Sequence, residues 1–506
     1  MFRRLSVVIL LIGLWFVGGI VLELLPALAP LSVSRIEPSL LAATNQAVWI
    51  WKNSQLAAID VTNGTLIGQT QDVLGERVST RDRRTQYLIT TELHDSQRQL
   101  ALSGIDLMTG EQLPPIQLDT VTKVFVDPYD DVPGAMTVLS ADEKTAYVIL
   151  TERVGIAREV RLVSVDLVQH KADSPIILFN GVVSWTFGGS AALSQDGKRI
   201  FVTRTFEPAG SERGTFATRL IEVNLETRTV MPEVEFTKEV NANGVGAQVI
   251  PAPDGKSLYI MQSIWYDRAG MAFRFIEFSL ENGQVKMSLN KAHESGCDTY
   301  FHRAPNHQDL WNWCYGFIQF LDPRSGQIVQ SELRTPIAGA ASPSDYVLSA
   351  DGKTLYAVFP AAREVVVFDL AKRTVLRRST MPDQAYFDFR RELARFLVQT
   401  ASAKFFARPM LTLTPDEKWL AFVDVKDMES GDGMWIIETT SLKPIAHVFR
   451  QEKVWGVRTS WDGRALYALA GDPNKLYALD PSNGQVLTTL NVPFVESWGF
   501  IEDPRE

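Results

Sequence analysis

Both cysteines and three of the six histidines of the chain fall within one stretch: His293, Cys297, His302, His307 and Cys314. Thiolate sulfur and imidazole nitrogen are common ligands of zinc and copper, and neighbouring strands could bring these side chains to one point. His293, His302 and His307 are therefore a candidate metal cluster. The two cysteines carry a competing chemistry. Cys297 and Cys314 are 17 positions apart, a separation that fits adjacent strands of a hairpin. In an oxidising compartment such a pair forms a disulfide, and unpaired thiols are the third reading. The compartment thus decides between brace and ligand set.

Elsewhere the chain offers few reactive constellations. Acidic loops at Asp127, Asp130 and Asp131, and at Asp427, Glu429 and Asp432, supply the oxygen ligands that calcium prefers. Neither has the spacing of a helix–loop–helix calcium site, and turn-forming Asp beside Gly or Pro accounts for them equally well. The sequence contains no nucleophile elbow, phosphate loop, paired metal-binding histidines on a helix or haem-attachment motif. No catalytic residue and no cofactor is assigned. A net charge of −9 argues against a polyanion-binding surface, because such binding rests on Lys and Arg neutralising phosphates, so nucleic acid is not expected as a partner.

The N-terminus speaks to the compartment. Arg3 and Arg4 precede an uncharged run of 18 residues, Leu5 to Leu22, followed by Glu23 and a Leu/Ala/Pro segment. As a helix that run rises ~27 Å, close to the ~30 Å hydrocarbon core. The alternative is a cleaved signal peptide ending at Ala27-Leu28-Ala29, although Pro30 follows at the cleavage position. With the two arginines held inside, the remainder lies on the outer side of the membrane. The expected organisation is a cytoplasmic end at 1–4, a transmembrane signal anchor at 5–25, a linker at 26–44 and a folded domain at 45–502.

That domain is repetitive. Its clearest unit runs Leu348-Ser-Ala-Asp-Gly-Lys-Thr-Leu-Tyr-Ala-Val358, then Val365-Val-Val-Phe-Asp-Leu370, then Thr374-Val-Leu376. Asp351-Gly352 supplies the positive φ of a tight hairpin, the flanking residues alternate as strands do, and Asp369 opens a second turn. The unit reads as one four-stranded propeller blade. First halves recur at Asp142, Asp196, Asp254, Asp416 and Asp462, with weaker copies at Asp82 and Asn306–Gln308, making eight. Second halves recur at Asp60, Asp106, Asp166, Asn224, Ser279, Asp322, Asp369, Glu438 and Asp480, making nine. Ala47–Gln69 therefore holds three strands of a blade lacking its first. Residues 496–501 resemble 454–458 and could supply that strand, closing the ring and removing an open edge. Propellers usually have four to eight blades, which favours eight, whereas the count points to nine.

The 18-residue spacing from Asp351 to Asp369, repeated from Asp462 to Asp480, resembles the YVTN family of β-propellers over roughly residues 45 to 502. The segment Leu476-Tyr-Ala-Leu-Asp-Pro-Ser-Asn-Gly484 is also similar to pyrroloquinoline-quinone-type repeats. Those carry a Trp after each Gly turn where this chain has Leu487 or its equivalents, so the likeness implies the fold and not a quinone site. The expected fold class is thus all-β, a single propeller of eight or nine blades behind one transmembrane helix. One segment departs from the strand pattern. Within 383–406, Tyr386, Phe389, Leu393, Phe396 and Leu397 recur at helical spacing among several arginines, which predicts an amphipathic helix inserted between two blades.

Two functional classes follow. The first is a membrane-anchored extracytoplasmic scaffold that binds a protein or a cell-envelope ligand. The second is an exported enzyme, a dehydrogenase subunit or a lyase, with its site at the central channel. Propellers serve both.

Overall fold

The computed structural model describes residues 47–491 apart from short internal segments, of which 122–133, 293–300, 334–344 and 383–409 are the longest. The segment 5–25 expected to span a membrane, the closing strand expected at 496–501 and the inserted helix expected at 383–406 all lie outside the described residues. Among the described residues every regular element is a strand, and no helix is long and apolar enough to cross a membrane.

The strands form antiparallel meanders joined in sequence order. A three-stranded sheet comes first (Ala47–Lys52, Gln55–Asp60, Leu66–Gln69), then six sheets of one blade each, then a seven-stranded sheet spanning two blades. The total is nine blades, so the repeat count prevails over the usual size range. The weak repeat at Asn306–Gln308 is a full blade, with strands at His302–Arg303, Leu310–Cys314, Phe317–Asp322 and Gln327–Glu332. The last two blades are continuous because Pro444–Thr459 is one long strand. Its first part is the outer strand of blade 8 and its last part the inner strand of blade 9.

Packing shows that the ring closes. Each blade has two apolar faces, and the large hydrophobic clusters each join one blade to the next. Tyr356, Val358 and Val367 of blade 7 meet Leu420, Phe422 and Trp435 of blade 8, for example. Ala421, Val423 and Ile436 then meet Val457, Leu466 and Ala468 of blade 9. The ninth such interface sets Val48, Ile50 and Ile59 of blade 1 against Tyr467, Leu469 and Leu476 of blade 9. At about 1.5–3 kcal/mol for each fully buried aliphatic or aromatic side chain, these interfaces dominate the stability of the fold.

The two ends of the ring differ. Because the strands alternate in direction, the turns after the first and third strands of every blade share one end, and the remaining connections share the other. On the first end the turns repeat one design. Asp351 Oδ1 accepts from Ser349 Oγ at 2.7 Å and from Lys353 N at 3.0 Å, and Gly352 takes a φ of 68°. Asp142, Asp416 and Asp462 make the same pair of bonds to their own neighbours. Eight of the nine residues expected to open the second turn end a third strand, and Asp480 directly follows one. On the opposite end the connections range from the continuous strand between blades 8 and 9 to the stretch between Thr380 and Leu411.

Candidate functional site

Of the histidine and cysteine group, His293, Cys297 and His307 lie outside the described residues, and of Cys314 only the backbone is placed, opposite Phe317. His302 is described. Its ring lies on Trp311 with centroids 4.8 Å apart, and its Nε2 is 3.3 Å from Tyr346 Oη, on blade 7. Trp313 and Tyr346 continue the aromatic seam at 5.0 Å. Burial lowers the His302 pKa below the usual imidazole range, because a charged ring would lose its hydration there. A neutral imidazole built into an aromatic joint between blades 6 and 7 is a packing element in this surrounding. Among the described residues no three His, Cys, Asp or Glu side chains stand close enough to hold a metal ion.

A second titratable group emerges in blade 8. Asp424, Trp435 and His447 come from three successive strands of that blade and share its face toward blade 7. Trp435 Nε1 donates to Asp424 Oδ2 at 3.2 Å. His447 Nε2 lies 3.6 Å from the same oxygen, an ion-pair distance when the ring is protonated, and both side chains are under a tenth exposed. The indole and imidazole are parallel, 4.0 Å apart with 4° between their planes. Local backbone makes room for this. The register shifts between Asp432 and Met434, and Gly433 adopts a φ of 106°. A Cβ on Gly433 would lie 2.7 Å from the Val448 carbonyl oxygen and 3.0 Å from His447 Nε2. Spacing along the chain does not announce this trio, since register and a bulge bring it together. The nearest sequence signal was the acidic stretch beside it. There Asp427 is paired in a strand with Ser430, Glu429 lies outside the described residues, and Asp432 is placed by its backbone only. Asp127, Asp130 and Asp131 also lie outside them.

A third feature is a cavity of about 370 Å³ between blades 1 and 2. The two blades differ in height. The second and third strands of blade 1 have 6 residues each, whereas their neighbours Thr85–His94 and Gln97–Asp106 have 10. Toward the turn end, Trp49, Leu56 and Ala58 pack on Leu88 and Ile105, and Trp49 Nε1 donates to Asp106 O at 3.0 Å. Farther along, blade 2 outreaches blade 1, and the space is lined by Thr90, Gln99, Ser103 and Gln117 of blade 2 and Gln69 of blade 1. Apolar packing at one end and a polar gap at the other follow from one mismatch in strand length.

Fold and sites together define a nine-bladed β-propeller whose blades share a repeat but differ in what they enclose. No family model and no curated protein sequence matches the chain. Similar solved structures include the dihydro-heme d1 dehydrogenase NirN in complex with DHE, at 14% identity over 90% of this chain and 81% of that one, TM-score 0.42. Apo AztD from Citrobacter koseri matches at 11% identity over 79% and 94%, TM-score 0.40. A structure described as the eukaryotic initiation factor matches at 11% over 89% and 96%, TM-score 0.46.

Proposed function

We propose that the chain is a membrane-anchored extracytoplasmic propeller of YVTN-type repeats that binds a protein or cell-envelope ligand at the loop-bearing end of its ring. The observation that carries this reading is the contrast between the ends. Nearly identical hydrogen-bonded turns close one end, while the connections at the other vary widely in length. Connections on a rigid scaffold are where recognition residues concentrate. Arg3, Arg4 and the uncharged run from Leu5 to Leu22 support an outward-facing domain tethered by its N-terminus. An exported enzyme would draw on Asp424 and His447, but their enclosure against blade 7 speaks for a structural part.

Photo-crosslinking residues introduced into the full-length protein test the reading. Positions Ser211 and Arg363 belong to the loop-bearing end, and Lys198 and Ser482 to the turn end. In native membranes the first pair is expected to yield discrete crosslinked species and the second none. Equal yields from both ends, or none from either, overturn the proposal. Membrane-impermeant amine labelling of intact cells is expected to reach the propeller lysines, and complete protection overturns the orientation.

A further inference from the structure

We propose that the cleft between blades 1 and 2 binds a neutral, hydroxyl-rich ligand, a short oligosaccharide. The site lies on the rim of the ring and stands independently of what the loop-bearing end recognises. Its volume of about 370 Å³ falls within the ~300–1,000 Å³ typical of small-ligand pockets, at the small end.

The chemistry of the walls selects the ligand. Four glutamines, Gln69, Gln99, Gln112 and Gln117, surround the space, and Thr90 and Ser103 lie on the blade 2 wall. Each glutamine amide carries donors and an acceptor, and each hydroxyl can act as either, which matches sugar hydroxyls that do the same. The amides and hydroxyls that line the space are themselves uncharged, so this wall addresses a ligand through hydrogen bonds rather than ion pairs. A purely apolar ligand would strip water from the amides and return no hydrogen bonds. Thr90 and Ser103 are 3% and 1% exposed, and their hydroxyl oxygens are 2.8 Å apart. The two hydroxyls satisfy one another and stiffen the wall made by ten-residue strands, which leaves the amides to face the ligand. Leu113, Pro114 and Pro115 add an apolar edge, and the prolines restrict its backbone. Such an edge suits the C–H face of a pyranose, while the amides address its hydroxyls.

The cleft is also built to stay open. The face of blade 2 continues past the last rung of blade 1, and its apolar contacts with blade 1, through Leu88, Ile105 and Leu107, already lie toward the turn end. The two sheets could close the gap only by breaking that packing.

The test uses the full-length chain in a detergent without a sugar headgroup, with cellobiose, maltose and N,N′-diacetylchitobiose as probes. Saturation-transfer NMR is expected to show transfer to at least one probe, with an affinity measurable by titration calorimetry. The double variant Gln99→Ala/Gln117→Ala is expected to weaken that affinity at least tenfold with an unchanged melting temperature. Gln69→Trp, at an exposed position, fills the cleft from the blade 1 side and is expected to abolish transfer even if the double variant folds poorly. Absence of transfer to all three sugars overturns the proposal, as does binding that survives both variants. Binding of an uncharged tetrapeptide in place of the sugars, with the same sensitivity to the variants, also overturns it.

Discussion

Blades 7 and 8 are neighbours built on one repeat, yet they fill three matching positions with opposite chemistry. Counted from the turn residues Asp351 and Asp416, Phe359 corresponds to Asp424. The strand register pairs Val366 with Arg378 in one blade and Trp435 with His447 in the other. In blade 7, Phe359 stacks on Trp313 of blade 6 at 6.0 Å. Arg378 leads outward, donating to Leu333 O at 2.6 Å and pairing with Glu364 at 3.0 Å while two-fifths exposed. In blade 8 the same positions enclose a carboxylate, an indole and an imidazole. The backbone of the repeat therefore tolerates either solution. What differs is the cost of error, because an apolar face can be repacked whereas a buried charge depends on its partners.

The largest expected effect comes from breaking the buried group. Asp424→Ala should lower unfolding stability by about 3–5 kcal/mol in urea titrations, since it removes the partner of both His447 and Trp435. Glu364→Ala, which breaks a pair whose arginine is two-fifths exposed and keeps its bond to Leu333 O, should cost less, about 1 kcal/mol. Equal losses would erase the distinction between the blades. The double variant Asp424→Leu/His447→Leu sharpens it, because replacing both members by apolar groups is expected to recover most of the loss.

Next come the two glycines. Gly433→Ala adds a Cβ into the Val448 carbonyl at a φ of 106°, and should cost about 1–3 kcal/mol. Gly352→Ala in the blade 7 turn meets no atom within 4 Å, so only its φ of 68° opposes it, at about 1 kcal/mol. Thermal melts of the two variants rank them directly. A Gly433→Ala protein as stable as Gly352→Ala would mean that the backbone at Val448 and Phe449 shifts aside at little cost.

The turns themselves differ more subtly. Where blade 7 has Gly352, blade 8 has Glu417 at a φ of 57°, and its Oε1 accepts from Ala350 N of the blade 7 turn at 2.7 Å. Glu143 makes the same reach from blade 3 to Arg81 N of blade 2. Glu417→Ala keeps the strained φ and loses the bond, a cost of about 0.5–1.5 kcal/mol. Glu417→Gly loses the bond but relieves the strain, and should melt close to the parent protein. A larger loss for Gly than for Ala would contradict this account of the site.

The smallest contrast is in acid. The Lys353 N–H and then the Ser349 hydroxyl hold the Asp351 pKa below the usual carboxylate range. For Asp416, burial opposes ionisation most strongly, but hydrogen bonds from Thr414 and Lys418 outweigh it and the net shift is again downward. A carboxylate with a lowered folded pKa contributes stability above its unfolded value of about 3.9 and loses it as pH falls through the folded value. Stability should therefore decline below about pH 4, and Asp351→Asn and Asp416→Asn should each flatten that decline. Unaltered acid unfolding in both variants would show that the turn hydrogen bonds do not select the ionised form.

The repeat was legible because its signals are local. The Asp-centred turn after each first strand and the second turn at the end of the third strand are readable from short windows, and both stand between strands in the fold. The three-stranded first blade was legible for the same reason. The trio in blade 8 was not, since Asp424 and His447 are joined by a register shift at Gly433 that no local pattern announces. His302 illustrates the converse. Its residue type suggested a ligand, while the ring of Trp311 on the next strand and that of Tyr346 on the following blade make it part of a joint.

By itself the amino-acid order determined the turns and the alternation of the strands, because those depend on backbone conformation and on which face of a strand is apolar, while the choice between eight and nine blades was made by the sheets. Only the tertiary structure decided what each interface encloses. Ring closure sets strands of different length side by side, and the remainder at blades 1 and 2 is a polar cleft, while in blade 8 a bulge turns three separated polar side chains onto one buried oxygen. Both outcomes depend on register and strand length between neighbouring strands and blades, which become defined only when the sheets form and pack.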